Sequence, residues 1–345
     1  MATPELLRPV AAVLEDLRSI KTTAAEECFR RNSLTLRSRD MGSDDKRLCL
    51  DGGLSTTLEN LGADLSQGSL WSARLIRDNP DLIVRVHQSF LEAGADIIGS
   101  ATYQCSLEKM MEEFGVDRPQ AEEYIRLGVR LAKQAVSEYS RKSGREAFVA
   151  AALGSYGAIL ADGSEYRGNY GVSSEQLERI HTERVRCALL ESPDLVAFET
   201  IPDNEEVRTI LRLMEANFSD TPFWVSLQCQ SESQLADGSN LDTISAYIKQ
   251  LPPRSMVAIG VNCVQPELVR PVIERIRSGL GGNTQILTVC YPNSGEVWEE
   301  GWKHADGKTP SPEEWSNMVA QSGADIVGGC CRTATSHIRF LRELL

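Results

Sequence analysis

A chain of 345 residues can bury the core of one large α/β domain or of two ordinary ones. It is 41% hydrophobic and 25% charged, and its net charge of -13 argues against a nucleic-acid or anionic-membrane surface. No run of about 18 apolar residues marks a membrane span, no secretory or transit signal is expected, and nine cysteines, an odd number, suggest free thiols in a reducing, cytoplasmic setting.

The helical spacing of Val10, Leu14 and Leu17 predicts a first helix near 5–20. Residues 21–46 are polar and weakly periodic, and read as a loop or disordered insert. The expected organisation is therefore an amino-terminal helix and insert over 1–46, then one domain over 47–345. From Leu48 onward a unit repeats. Asn79-Pro80 opens a helix as N-cap and first residue, with Ile83, Val86 and Phe90 as its apolar face. The unit closes as Ala93-Gly94-Ala95-Asp96-Ile97-Ile98-Gly99 and returns as Ser322-Gly323-Ala324-Asp325-Ile326-Val327-Gly328, with a looser copy at Glu191–Ala197. Each copy reads as a helix end, a turn, an Asp and a buried strand.

Eight such strands are predicted: 48–51, 96–102, 148–153, 194–199, 223–228, 257–263, 285–291 and 325–330. Most are continuous apolar runs, as strands buried on both faces should be. Helical segments at 118–139, 173–191, 203–216 and 265–279 separate them. This alternation implies a parallel sheet, and eight units favour a (β/α)8 TIM barrel over an open doubly wound sheet. No Gly-x-Gly-x-x-Gly follows the first strand, so a dinucleotide fold has little support.

Barrel chemistry belongs at the carboxyl ends of the strands. Those ends read Asp51-Gly52-Gly53, Ala101-Thr102-Tyr103-Gln104, Gly154-Ser155-Tyr156-Gly157, Phe198-Glu199-Thr200, Asn262-Cys263, Tyr291-Pro292-Asn293 and Gly328-Gly329-Cys330-Cys331-Arg332. Loops begin there, which accounts for Thr200 and Asn293. It does not account for three cysteines. Cys263 and the Cys330-Cys331 pair lie 67 residues apart and would share one barrel face. Three thiolates with an open position describe a zinc site able to take a fourth sulfur. Adjacent strand residues face opposite ways, so both cysteines reach one metal only if the backbone turns, which Gly328 and Gly329 permit. Glu199 follows an apolar run and wants a cation, either a protein Arg or a ligand ammonium. Cys28 falls in the insert, Cys187 in a helix, and Cys49, Cys229 and Cys290 beside strands. His87, His181 and His337 fall in helices and His304 in a loop, with no metal spacing among them.

The segments Leu50–Glu59, Leu91–Asp96, Ala152–Ala158, Leu160–Tyr166, Gly168–Gly171, Ala197–Pro202, Ile259–Cys263, Tyr291–Glu296 and Val327–Thr333 resemble the homocysteine S-methyltransferases. The likeness is strongest to plant-type enzymes that use S-methylmethionine or S-adenosylmethionine. The resemblance implies a (β/α)8 barrel with one Zn2+ on Cys263, Cys330 and Cys331, L-homocysteine bound through the metal, and its amino group received by Glu199. It also implies methionine biosynthesis, and a monomer. The zinc-bound substrate thiolate would be the nucleophile, so no protein general base is assigned. Asp51 is expected beside the amino-acid or donor end. Gly52, Gly53, Gly328 and Gly329 are expected to let backbone approach ligands closely. Thr102 and Asn262 are expected at or just behind the pocket. Asp162 and Glu165 would attract a cationic sulfonium, but an exposed acidic loop is the plainer expectation. The rival readings are the same transfer from betaine, and a non-catalytic zinc barrel in which Cys229 supplies a fourth ligand.

Overall fold

Apolar runs buried on both faces become the strands, and the segments between them become the helices that cover the sheet. The computed structural model describes residues 47–65, 70–281, 285–298, 302–304 and 309–345. The helix expected at 5–20 and the insert at 21–46 lie outside the described residues. The barrel strands are β1 (Leu48–Cys49), β2 (Ile97–Gly99), β3 (Phe148–Gly154), β4 (Leu195–Ile201), β5 (Phe223–Leu227), β6 (Met256–Asn262), β7 (Leu287–Tyr291) and β8 (Ile326–Val327). They pair in parallel in the order β1-β8-β7-β6-β5-β4-β3-β2. One parallel bridge between Leu50 and Ile97 joins β1 to β2 and closes the ring. The expected (β/α)8 barrel is what the chain forms.

Eight helices follow the strands: α1 (Pro80–Ala93), α2 (Arg118–Ser143), α3 (Ser174–Leu189), α4 (Asn204–Asn217), α5 (Leu241–Gln250), α6 (Pro266–Leu280), α7 (Pro312–Ala320) and α8 (Thr335–Glu343). Their ends carry the signals read from the sequence. Asn79 accepts from Leu82 N at 3.3 Å at the start of α1, and left-handed Gly94 (φ 110°) ends it. Ser311 and Glu314 form a reciprocal capping box on α7.

The repeated Asp has a structural role at the amino-terminal rim. Asp96 before β2 accepts Cys49 N of β1 at 3.0 Å, Asp194 before β4 accepts Val149 N of β3 at 2.7 Å, and Asp325 before β8 accepts Thr288 N of β7 at 2.7 Å. Each carboxylate satisfies an amide of the neighbouring strand and pins its register.

The barrel interior is filled by Leu50, Ile97, Phe148, Ala150, Leu195, Ala197, Trp224, Ala258, Val289, Tyr291 and Ile326. A second, larger apolar layer lies between the sheet and the helices. Among the described residues, no helix is long and apolar enough to cross a membrane.

Candidate metal and substrate site

Side-chain alternation carries the interior face of each strand up to the mouth. On β4, Leu195 and Ala197 point inward, and so therefore does Glu199. On β6, Ala258 and Gly260 precede Asn262 on the same face. Cys263 comes one residue later and would face the helices in a regular strand. Its backbone instead turns into the left-handed region, at φ 52°. Thr200 (φ 56°) does the same at a bulge inside β4, and Arg332 (φ 64°) in the loop after β8. Such conformations cost a non-glycine residue roughly 1–3 kcal/mol and persist where surrounding structure enforces them. The enforcing bonds are visible at Cys263, whose N donates to Tyr291 O at 3.1 Å and whose O accepts from Gln228 Nε2 at 3.2 Å.

At β8 the ladder stops after Val327 and the chain folds over the mouth. Cys330 N donates to Pro292 O at 2.8 Å, and Thr333 Oγ1 donates to Cys330 O at 2.7 Å. The glycines around this loop are needed for space rather than for a left-handed turn. A Cβ on Gly328 would stand 2.6 Å from Leu50 Cβ, and one on Gly53 would stand 2.6 Å from Cys330 O. Gly52 meets Phe90 and Thr333 in the same way, at 3.0 Å each. What these glycines approach is thus the neighbouring loop of the protein itself.

The three cysteines meet, with all three sulfurs within 4.8 Å of one another. Cys331 Sγ lies 3.6 Å from Cys263 Sγ and 3.9 Å from Cys330 Sγ. Cys263 and Cys330, expected as metal ligands, stand here as a disulfide pair with Cα atoms 5.6 Å apart. Two convergent thiols form such a bond once oxidised, and reduction returns them to the trio. For Zn–S bonds of about 2.3 Å, tetrahedral geometry sets the sulfurs about 3.8 Å apart. Both distances from Cys331 lie near that edge, and the three convergent sulfurs suit a thiolate metal once the Cys263–Cys330 pair is reduced. Burial pushes the Cys331 thiol up to about 11, opposed by a hydrogen bond from Tyr166. A cation is what would ionise such a thiol near neutral pH. Cys229 is buried elsewhere, and among the described residues no fourth His, Cys, Asp or Glu joins the cluster.

Beside the sulfurs stand two carboxyls. Asp51 is buried and accepts Gly99 N at 2.9 Å. A Cβ on Gly99 would lie 3.9 Å from both Asp51 Oδ2 and Glu199 Oε1, so the two acids share one wall. Burial pushes Asp51 up to about 8. Burial, then the charge of Asp51, pushes Glu199 up to about 8, while Arg184 pulls the other way. Arg184 does not pair with Glu199 directly. Its guanidinium donates to Gly154 O and to Tyr103 O (2.5 and 2.7 Å), tying the ends of β2 and β3 together. Among the described residues none donates a hydrogen bond to the Glu199 carboxylate. The geometry therefore leaves a pair of acids suited to an incoming ammonium.

Asn262 holds the assembly from below. Its Oδ1 accepts Thr200 N at 2.7 Å and the Ser226 hydroxyl, and its Nδ2 donates to Thr200 Oγ1 at 2.7 Å and reaches Cys330 Sγ at 3.9 Å. Ser226 shares a further bond of 2.7 Å with the Tyr291 hydroxyl. Thr102 is not at the mouth. Its Oγ1 donates to Ala152 O at 2.7 Å, and its methyl packs toward Gly128 of α2. Asp162 is exposed and engaged with Ser164, as an ordinary acidic loop residue. Glu165 departs from that expectation and is only 3% exposed. Arg184 and Ser226 carry no motif in the sequence, and Tyr166 stands there only as the end of the segment Leu160–Tyr166. The signal for Arg184 was a charge on the inward face of α3 beside Val185 and Ala188.

A (β/α)8 barrel with a thiol cluster and acids at its carboxyl-end mouth is an enzyme scaffold with its site in the usual place. The homocysteine S-methyltransferase family model matches residues 48–345, and the chain belongs to that family of methyltransferases. Homocysteine S-methyltransferase 1 of Zea mays is 36% identical over 86% of this chain and 93% of its own length. A betaine-homocysteine S-methyltransferase of Drosophila melanogaster is 34% identical over 85% of this chain and 92% of its own length. Among solved structures, the metallated form of the Escherichia coli homocysteine methyltransferase MmuM superposes with a TM-score of 0.76 at 32% identity, covering 89% of this chain and 99% of that one. Its oxidised form gives 0.77 at 32% identity.

Proposed function

We propose that the protein moves a methyl group from a sulfonium donor, S-methylmethionine or S-adenosylmethionine, to the thiol of L-homocysteine, giving methionine. The observation that carries this reading is the convergence of Cys263, Cys330 and Cys331 beside the Asp51–Glu199 wall. A thiol amino acid brings a sulfur and an ammonium, and the mouth offers a partner for each. Cys263, Cys330 and Cys331 would hold one Zn2+, which when bound supplies a cation that keeps the substrate sulfur deprotonated. Glu199 holds the ammonium and Asp51 supports it, which fixes the substrate's orientation. Asn262 positions Cys330 and the Thr200 bulge of β4, while Gly52 and Gly53 shape the adjoining wall. The homocysteine sulfur then forms a bond to the methyl carbon. The bond from that carbon to the donor sulfur breaks, its electron pair stays on the donor, and a neutral thioether leaves. The thiol proton passes to solvent.

The test is a donor panel on reduced, zinc-loaded protein with homocysteine. Methionine should form from one or both sulfonium donors, and the activity should disappear on chelation. Cys263→Ser should lose most bound zinc and most turnover. Transfer from betaine alone would favour the second reading that the Drosophila relative raises, and full activity without metal would sink the assignment of the thiol site.

A further inference from the structure

The roles given to Asp51 and Glu199 leave unused a buried acid in the loop after β3. Glu165 lies in a 3-10 turn, Ser164–Tyr166, that is folded down on the helix Tyr156–Leu160 behind β3. A Cβ on Gly157 would run into Glu165 N, so the glycine permits that descent. Glu165 is 3% exposed, and its Oε2 is buried without a hydrogen-bond partner among the described residues. Leaving a buried carboxylate oxygen unpaired is costly unless a ligand completes it. The nearby cation Arg167 is turned to Asp162 and to Ser164 Oγ. The groups that feel the charge of Glu165 are Tyr103, Tyr166 and Cys331. Tyr166 in turn bonds the Cys331 sulfur. The turn that carries Glu165 packs against β4, the strand of Glu199, and reaches the sulfur cluster through Tyr166.

We propose that Glu165, with Tyr103 and Tyr166 beside it, seats the positively charged centre of the methyl donor and selects a sulfonium amino acid over betaine. The inference rests on the proposed reaction and names the residue that decides its donor. An enclosed carboxylate and phenol rings are suited to an onium cation. Betaine carries its own carboxylate one methylene from the ammonium, so a second buried carboxylate at that centre repels it. In S-methylmethionine the carboxylate lies at the far end of a longer chain, and the attraction is kept. The donor loses its charge on transfer. Glu165 therefore binds the reactant more strongly than the transition state or the thioether product, and its effect belongs in donor KM more than in kcat.

The experiment compares reduced, zinc-loaded wild type with Glu165→Gln and Glu165→Asp, using S-methylmethionine, S-adenosylmethionine and betaine as separate donors. Glu165→Gln should raise the sulfonium KM by at least about tenfold, as expected for loss of a buried charge partner, with kcat much less affected. Its preference for sulfonium over betaine should narrow, and Glu165→Asp should fall between. Homocysteine KM, zinc content and inhibition by methionine, a neutral thioether, should be unchanged. An unaltered donor KM or an unaltered donor preference overturns the proposal. Equal weakening of homocysteine and methionine also overturns it, since a merely structural role would do that. Wild type that uses none of the three donors overturns the reaction and this inference together. Active wild type with an unaltered Glu165→Gln overturns the inference alone.

Discussion

Glu199 shows at a single residue why this mouth is unstable before it is occupied. Its carboxyl is pushed up to about 8 by burial and by Asp51. In the unfolded chain it loses its proton near the ordinary Glu value of about 4.3. Between those pH values the folded state holds a proton that the unfolded state has lost, so this group lowers stability as pH rises through that window. Glu199→Gln removes the penalty. We predict that the ligand-free variant melts higher than wild type at pH 8.5, by about 1–2 kcal/mol equivalent, and that the gap closes toward pH 4. The same variant should raise homocysteine KM at least about tenfold through loss of a buried charge partner. A melting gap that is the same at pH 4 and pH 8.5 would show that the carboxylate is not the source. The sequence made this residue conspicuous, since an acid directly after Leu195-Val196-Ala197-Phe198 has no bland explanation. It gave no sign that Arg184 would spend its hydrogen bonds on two carbonyls and leave Glu199 open.

At the scale of elements, the apolar runs located all eight strands because burial on both faces writes itself as uninterrupted hydrophobicity. The runs overshoot at the mouth. Residues 325–330 read as one strand, but the ladder covers only Ile326–Val327, and residues 96–102 shrink to Ile97–Gly99. The missing part is loop held by non-local bonds, such as Cys330 N to Pro292 O, which no local pattern encodes. Glu165 is hidden from the sequence for the same reason: its turn packs backbone to backbone on Gly157, a contact that its acidic neighbours do not signal. Gly53 tests the loop packing. It precedes the helix Leu54–Asn60, and an added methyl would meet two backbone carbonyls, Cys330 O at 2.6 Å and Thr333 O at 2.9 Å. Neither carbonyl can rotate away as a side chain would. Gly53→Ala should cost about 1–3 kcal/mol as overpacking and weaken zinc about 10–100-fold by shifting the support of a ligand. Competition with a chromogenic chelator measures the second effect. Unchanged affinity with lowered stability would separate the loop from the metal site.

Across the whole molecule, the barrel is uneven. Strands β3, β4 and β6 have seven residues each, whereas β1, β2 and β8 have two, three and two. The ring closes between β1 and β2 through the single Leu50–Ile97 bridge. Short ladders open at lower free energy than long ones, so the seam from β7 through β8 and β1 to β2 should be the first to open. Two of the three convergent cysteines lie just beyond β8, and the third lies just beyond β6. A cation held by all three would clamp the weak side of the ring to the strong side, across β7. Zinc at a hundred times its dissociation constant stabilises whatever state binds it by about 2.7 kcal/mol, near a hundredfold in an opening equilibrium. We predict that zinc slows amide exchange of reduced protein most at Leu50, Gly328 and Cys330, whose amides donate to Val327 O, Cys290 O and Pro292 O. Amides inside β4 and β5 should change far less, because they already open only with the whole barrel. Cys263→Ser should abolish the difference between metal-loaded and metal-free protein. Uniform slowing across all eight strands would mean that the seam does not open on its own, and that the metal stabilises the barrel only as a whole.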